Sequence, residues 1–349
     1  MKPAYASVAL FALATLLPVP LFALGLAFGG VWAASGLIYM TVLIATFDHL
    51  SARAQPGGPS APEFPAADPL LMVLSACHLV LFPAAVWVLA TAEGLSLLAK
   101  ALLFGGIGLW FGQVVNPCAH ELIHRGNRWL FRLGAVLYST LLFGHHTSAH
   151  RLVHHRFAAS AQDPNSARGG EGFYRFAVRA WAGSFREGLK AENKRYTKGL
   201  HPYLGYFGIA AACLSLGYFL AGWVGVALWA GLAFHAQTQL LLADYVQHYG
   251  LFRSLGPDGR LEPFSDRHSW NAPHRFSAHM MLNAPRHSDH HALPAQPYPA
   301  LRLPAPTEAP ALPHSLPVCC VAALVPPLWR RMMHPRLADW RRQIAGAAP

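Results

Sequence analysis

Residues 96–125 read SLLAKALLFGGIGLWFGQVVNPCAHELIHR. The first twenty are almost wholly apolar, and about 20 such residues on a helix cross a bilayer. His120 and His124 follow at once, at i and i+4, so a helix continuing the span carries both on one face. A chain embedded in lipid has little reason to collect imidazoles at a span end unless they hold metal.

The same arrangement recurs outward from this stretch. HRLVHH supplies His150, His154 and His155, DYVQHYG supplies His248, and HSDHH supplies His287, His290 and His291. With His120 and His124 these make nine, too many for one zinc ion, which takes four ligands. Read as α-helix, His150 and His154 share a face and His155 is rotated about 100° from His154. Adjacent histidines that diverge suit a cluster feeding two ions. His287, His290 and His291 fall at i, i+3 and i+4, on one helical face. HExxH alone also describes zinc proteases, but that reading leaves the other clusters idle. Imidazole-rich sites suit iron, copper and zinc. Two irons beside an apolar pocket suit oxygen chemistry on a hydrophobic substrate.

An imidazole that ligates metal usually gives its other N–H to a nearby acceptor. Glu121, Asp163, Asp244 and Asp289 are the candidate carboxylates; Glu121, Asp244 and Asp289 are the candidate catalytic residues. Asp163, in QDPNS, serves equally as a local cap. His145 and His146 read as supporting or surface residues. His235 lies in an apolar run, where a polar side chain is expensive and usually functional.

Composition places the whole chain in a membrane. It has 349 residues, 54% hydrophobic and 12% charged, against about 25% charged in soluble domains. Six stretches are long enough to cross, roughly 7–28, 31–47, 69–92, 96–115, 203–222 and 224–243. The first follows Lys2 and reads as an uncleaved anchor rather than a signal peptide, because a second span follows at once. Glycine-containing turns join the spans in pairs and carry no Lys or Arg. The net charge of +11 sits mainly in 116–202 and 251–342, which places those segments on the cytoplasmic side. The Pro/Gly-rich stretch 51–69 reads as a mobile linker, and 128–144 as a helix at the interface. The expectation is one domain over 1–349. It is an all-α integral membrane protein, a six-transmembrane-helix bundle with a cytoplasmic histidine-rich helical cap formed by 116–202 and 244–349. The five cysteines, odd in number and without CxxC, read as reduced packed thiols.

In order along the chain, HELIHR (120–125), HRLVHH followed by DPNSARGGE (163–171), DYVQHYG (244–250), HSWN (268–271), LNAPRHSDHHA (282–292) and PPLWRRMMHPR (326–336) resemble the membrane-bound alkane 1-monooxygenases. These are relatives of the xylene monooxygenase hydroxylase and of membrane fatty-acid desaturases. The HxxxHH second box and the HYG motif are similar to the hydroxylases rather than the desaturases. The resemblance implies a non-haem diiron site, two Fe ions on the nine histidines, with O2 as co-substrate. It also implies electrons from rubredoxin or a ferredoxin-type donor with its reductase, and a place in the bacterial inner (cytoplasmic) membrane with the metal site on its cytoplasmic side. The expected reaction is terminal hydroxylation of alkanes to 1-alkanols; the alternatives are aromatic-methyl hydroxylation and lipid desaturation or hydroxylation. A non-catalytic metal carrier is disfavoured, because transporters place their sites near mid-membrane. Basic residues such as Arg125, Arg151 and Arg179 suit an acidic donor or anionic membrane lipid; no motif suggests nucleic acid. The sequence departs from the family at Ala149 and Val153 in the second box, at Asp244 and Gln247 around HYG, and at Pro285 beside the last box.

Overall fold

The computed structural model describes residues 3–58 and 64–346. Among these there is no β-strand, only isolated bridges between helical elements. Lys2 and residues 59–63 of the expected linker lie outside the described residues.

Five helical stretches are long and apolar enough to cross a membrane: Val8–Phe28, Trp32–Leu50, Ala67–Thr91, Leu97–Ile123 and Pro202–His248. The first comprises α1 (Pro3–Leu16) and α2 (Pro18–Phe28). Gly29 and Gly30, at φ 61° and 54°, turn the chain back into α3 (Trp32–Ile38), a π-helical turn Tyr39–Leu43 and α4 (Ile44–Leu50). Helix α5 (Ala67–Thr91) follows. Ser96 caps α6 (Leu97–Trp110) by accepting a hydrogen bond from the Ala99 N–H at 3.2 Å. A π turn over Phe111–Val115 leads without a break into α7 (Asn116–Ile123), so the span that opens the argument does extend into the first histidine pair.

Helix α8 (Arg128–Thr140) is short and amphipathic, as expected for 128–144, and packs on α7. Gly134 makes that approach possible: a Cβ there would lie 2.8 Å from the Ala119 carbonyl oxygen. Helix α9 (His146–Ala149), a π turn His150–His154 and α10 (His155–Phe157) carry the second cluster, and α11 (Phe173–Arg195) covers it.

Helix α12 (Pro202–His248) is two helical arms meeting at a kink, with non-helical dihedrals at Ala221 and Gly222, where the sequence places the turn between the stretches 203–222 and 224–243. Gly222 takes φ 58°, which a glycine adopts without steric cost. Past α12 the chain forms α13 (Arg275–Met280), α14 (His287–Ala292), α15 (Leu316–Ala323) and α16 (Pro326–Gly346), joined by irregular segments.

The core runs between α5, α6, α8 and α12. Phe82 stacks on Trp229 with ring centroids 4.3 Å apart, and the Trp229 indole donates to the Thr140 carbonyl at 2.9 Å. Buried polar groups bridge the same helices: Asn116 Nδ2 to the Ala236 carbonyl at 2.8 Å and Gln237 Nε2 to the Leu141 carbonyl at 2.7 Å. The outer faces expose Leu10, Val80, Leu98, Phe219, Trp223 and Phe234, an apolar surface that lipid would cover.

The stretch 51–69 is not a free linker where it is described. Ala54 N–H donates to the Pro273 carbonyl, and Gly57 pairs with Leu303 through two backbone bonds of 2.8 and 2.9 Å. One span earlier, Asp48 accepts from the Phe276 N–H at 2.8 Å. These bonds tie the first two spans to the C-terminal segments carrying the last histidine cluster. Proline and glycine removed the side-chain signal, but the backbone groups still required partners.

Candidate metal centre

The nine histidines converge in two groups. His120, His124, His150, His155 and His290 present ring nitrogens within 4.8 Å of one another, and so do His154, His248, His287 and His291. Helix α7 supplies His120 and His124 to the first group, and α12 supplies His248 to the second.

HRLVHH and HSDHH are each divided between the groups. Read as an α-helix, His150 and His154 belong together; the structure instead winds His150–His154 as a π turn. The extra residue per turn brings His150 under His155, with Nε2 atoms 2.9 Å apart. His154 turns towards His248 and His291, with ring centroids 4.9 and 4.8 Å away. In α14, His287 and His291 join the second group and His290 the first. The expectation that all three share one face is therefore corrected. The two nitrogen groups interleave at these two short segments, and that interleaving sets the groups side by side.

The nitrogen spacing fits metal. Metal–imidazole bonds of about 2.0–2.1 Å put neighbouring ligand nitrogens roughly 3 Å apart at right-angled positions. His155 Nε2 lies 2.9 and 3.1 Å from the Nε2 atoms of His150 and His290; His287 Nε2 lies 2.9 and 3.1 Å from those of His248 and His291. Three nitrogens facing one point cannot all be satisfied as hydrogen bonds, because a neutral ring nitrogen is either donor or acceptor. His124 Nε2 and His154 Nε2 are buried without partners among the described residues. Burial drives the pKa values of His124, His150, His155, His287, His290 and His291 well below the ordinary histidine value, so each offers a lone pair near neutrality.

One ring has a carboxylate behind it. Asp163 Oδ2 accepts from His154 Nδ1 at 2.9 Å, which leaves His154 Nε2 for a ligand. Burial lowers the His154 pKa, but Asp163 outweighs it and the net shift is upward. Asp163 Oδ1 also accepts from the Asn165 N–H at 3.0 Å, so it serves as both ring partner and local cap. Asn165 Nδ2 in turn donates to Asp244 at 2.6 Å.

The three carboxylates expected to be catalytic have different surroundings. Asp244 lines the cavity beneath the rings. Glu121 accepts from the Tyr298 N–H at 3.1 Å and pairs with Arg125 at 3.2 Å. Asp289 accepts from the Arg302 N–H at 2.7 Å. These bonds anchor the loop 298–302 behind the rings. His145 and His146 are buried, which excludes a surface role. The His146 ring lies 5.1 Å from that of His150 and borders the cavity. Its signal was its place one turn before His150.

Short polar bonds fix the last cluster. Asn271 and Ser288 exchange bonds of 2.7 and 3.1 Å, the Trp270 indole donates to the Tyr249 carbonyl at 2.9 Å, and Gln247 Nε2 reaches the Ala284 carbonyl at 2.9 Å. HSWN and DYVQHYG thus hold α14 against the end of α12. Gln247, where the sequence departs from the expected motif, makes one of those bonds.

A cavity of about 250 Å³ opens below the rings between α6, α12 and α15. His120, His146, His150, His287 and Asp244 border it beneath the rings, His235, Thr238 and Gln239 border it farther along α12, and Leu109, Leu316 and Val321 add apolar wall.

A fatty acid desaturase family profile matches residues 95–322, from the start of α6 to the end of α15. The chain belongs to the fatty acid desaturase family. Within it, the chain is 34% identical over 238 residues to alkane 1-monooxygenase 1 of Pseudomonas aeruginosa, covering 66% of this chain and 62% of that protein. It is 32% identical over 258 residues to the alkane 1-monooxygenase of Acinetobacter baylyi, covering 72% and 62%. The xylene/toluene monooxygenase hydroxylase component of Pseudomonas putida is 28% identical over 254 residues, covering 68% and 64%. The chain thus matches a little under two thirds of the length of these relatives. The family match spans both nitrogen groups and the cavity beneath them.

Proposed function

We propose that this chain is a membrane-bound non-haem diiron monooxygenase that inserts one atom of O2 into a C–H bond of a hydrophobic substrate, with terminal hydroxylation of alkanes to 1-alkanols as its reaction. The observation that carries the reading is the interleaving of the two nitrogen groups directly above an apolar cavity. The relatives named as alkane 1-monooxygenases support the choice of substrate class.

His120, His124, His150, His155 and His290 would hold one iron, and His154, His248, His287 and His291 the other. Iron bound there supplies the activation of dioxygen and the oxidising power for C–H attack. The chain's own residues do the rest. Asp163 holds the proton on His154 Nδ1 and so directs the Nε2 lone pair inward. Asp244, the carboxylate on the cavity wall, is placed to pass the protons that oxygen reduction consumes. Glu121 and Asp289 position the loop behind the rings. The cavity walls orient an aliphatic chain end-on and exclude water.

Two points of arrangement belong to the same proposal. The arms of α12 on either side of Gly222 act as fifth and sixth spans, since 47 residues of helix would extend roughly 70 Å, more than twice a bilayer core. The basic segments lie at the cytoplasmic face of the bacterial inner membrane, where rubredoxin or a ferredoxin-type protein delivers electrons.

The test is product analysis. Cells expressing the chain with a rubredoxin and its reductase are fed medium-chain alkanes under isotopically labelled dioxygen, and products are separated by gas chromatography–mass spectrometry. Labelled 1-alkanol is the expected result. Unchanged alkane from an iron-loaded protein rejects this substrate assignment, and labelled aromatic alcohol from xylene would replace it.

A further inference from the structure

The end of the cavity away from the histidine groups is polar, and a plain hydrocarbon leaves that polarity unused. His235 and Gln239 lie one turn apart on α12 and lean over Gly108 and Gly112, one turn apart on the facing helix. A Cβ at either glycine would collide with the imidazole or the amide. Gln239 Nε2 donates to the Gly108 carbonyl at 2.8 Å, which fixes the amide orientation and leaves Oε1 buried without a partner among the described residues. Gln113, only 9% exposed, likewise has an unpartnered Oε1 and borders the same cavity.

Interhelical packing explains the Gln239 amide nitrogen but neither oxygen. A buried, unpaired amide oxygen is destabilising, and occupancy by a donor removes that cost. The Gln239 oxygen accepts, and the Gln113 amide has no hydrogen bond among the described residues and can present either end. His235 Nδ1 beside them is also buried without a partner among the described residues. The missing group is therefore one that both donates and accepts, as a hydroxyl does. Among the described residues, no Lys or Arg lines the cavity, so a carboxylate or phosphate would enter without a Lys or Arg counter-charge and against the Gln239 oxygen.

We propose that Gln113 and Gln239 form a recognition site for a hydroxyl group on the substrate. The inference rests on the cavity being the substrate site. Eight residues of helix separate Gly112 from His120 and nine separate Gln239 from His248, roughly 12–14 Å at 1.5 Å per residue. Carbon–carbon bonds of about 1.5 Å at near-tetrahedral angles advance roughly 1.25 Å each. A hydroxyl bound at the glutamines therefore sets a carbon about ten bonds away beneath the histidine groups. The preferred ligand class is a linear alcohol of about ten carbons, held by its hydroxyl with the far methyl at the metal end.

The test is binding to the full-length protein in lipid nanodiscs, read by ligand-dependent shifts of thermal unfolding with decane, 1-decanol and decanoate. Wild type is expected to bind 1-decanol at least about tenfold more tightly than decane or decanoate, and Gln113→Leu to abolish that preference while still binding decane. Gln239→Leu is expected to act alike; should losing the bond to Gly108 unfold it, wild type and Gln113→Leu decide the matter. Equal affinity for decane and 1-decanol in wild type, or an undiminished preference in Gln113→Leu, overturns the proposal and assigns the amide oxygens to a bound water alone. The product assay separates the two readings. Hydroxylation of decane without a preference for 1-decanol sinks only this inference, whereas selective binding without any oxygenation sinks only the assigned reaction.

Discussion

His150 and His155 bring their Nε2 atoms to 2.9 Å although five residues separate them, while His154, next to His155 in sequence, belongs to the other nitrogen group. The π turn over His150–His154 produces both facts. An α-helical turn would align His150 with His154 instead and place one ligand in the wrong group. Such turns are rare and concentrate at functional sites. Deleting Leu152 removes the extra residue and restores α-helical register. The expected outcome is a folded protein, by circular dichroism and detergent gel filtration, that has lost most of its iron and all activity. Two irons retained per chain after the deletion would show that the π turn does not set the ligand register.

Asp163 is the carboxylate bonded to a converging ring, His154. Changing it to Asn keeps the shape but removes the charge that raises the His154 pKa and fixes its tautomer. Partners of this kind typically contribute 10–100-fold to metal affinity. Asp163→Asn is therefore expected to lose metal to a competing chelator 10–100-fold more readily than wild type, with little change in helix content. Unchanged competition would assign Asp163 to the turn at Asn165 alone.

Not every buried histidine in a span belongs to the metal chemistry. His78 on α5 is fully buried, its Nε2–H donates to Thr140 Oγ1 at 2.8 Å, and it packs against Phe82 and Phe111. Thr140 Oγ1 also donates to the Leu137 carbonyl at 2.7 Å, so it keeps a partner if His78 is lost. His78→Leu is expected to retain wild-type iron content and turnover and to shift stability by no more than about 1.5 kcal/mol, the scale of one net hydrogen bond. The same assay on His155→Ala should show a collapse of both. Iron loss in His78→Leu would bring α5 into the site.

The contrast shows what the sequence could and could not disclose. Nine histidines were legible because span ends, i/i+4 spacing and apolar flanks are local properties. His120 and His124 behave as that spacing requires. That HRLVHH feeds two groups was legible from the divergence of His154 and His155; that His150 joins His155 rather than His154, and that HSDHH divides, was not, because a π turn and the seating of a six-residue helix between two groups are tertiary features. The break at Gly222 was announced by its glycine. The Asn165 link between Asp163 and Asp244 was obscured because side-chain pairing over 79 residues leaves no periodic trace. The tie between 51–58 and the C-terminal segments runs through backbone atoms, to which composition is blind.

That tie supplies the last prediction. Asp48 is buried at the end of the second span, and its carboxylate accepts from the N–H groups of Phe276 and Ser277 at 2.8 and 3.2 Å, at the start of α13. Phe47 packs on Phe276 at 5.0 Å beside it, and Phe11 of the first span packs on Tyr298 at 4.9 Å. The first two spans contribute none of the nine histidines, yet they hold the segment leading into His287, His290 and His291. Asp48→Ala orphans two backbone donors and is expected to cost about 2–4 kcal/mol, at 1–3 kcal/mol for each buried unsatisfied group less what water recovers. Asp48→Asn keeps an acceptor oxygen and should recover about half. If the tie acts on the metal centre, hydrogen exchange in 273–292 should rise in Asp48→Ala and iron content should fall, with α5 to α8 unaffected. Unchanged exchange in 273–292 would mean that the last cluster is held by Asn271, Ser288 and Gln247 without help from the first spans.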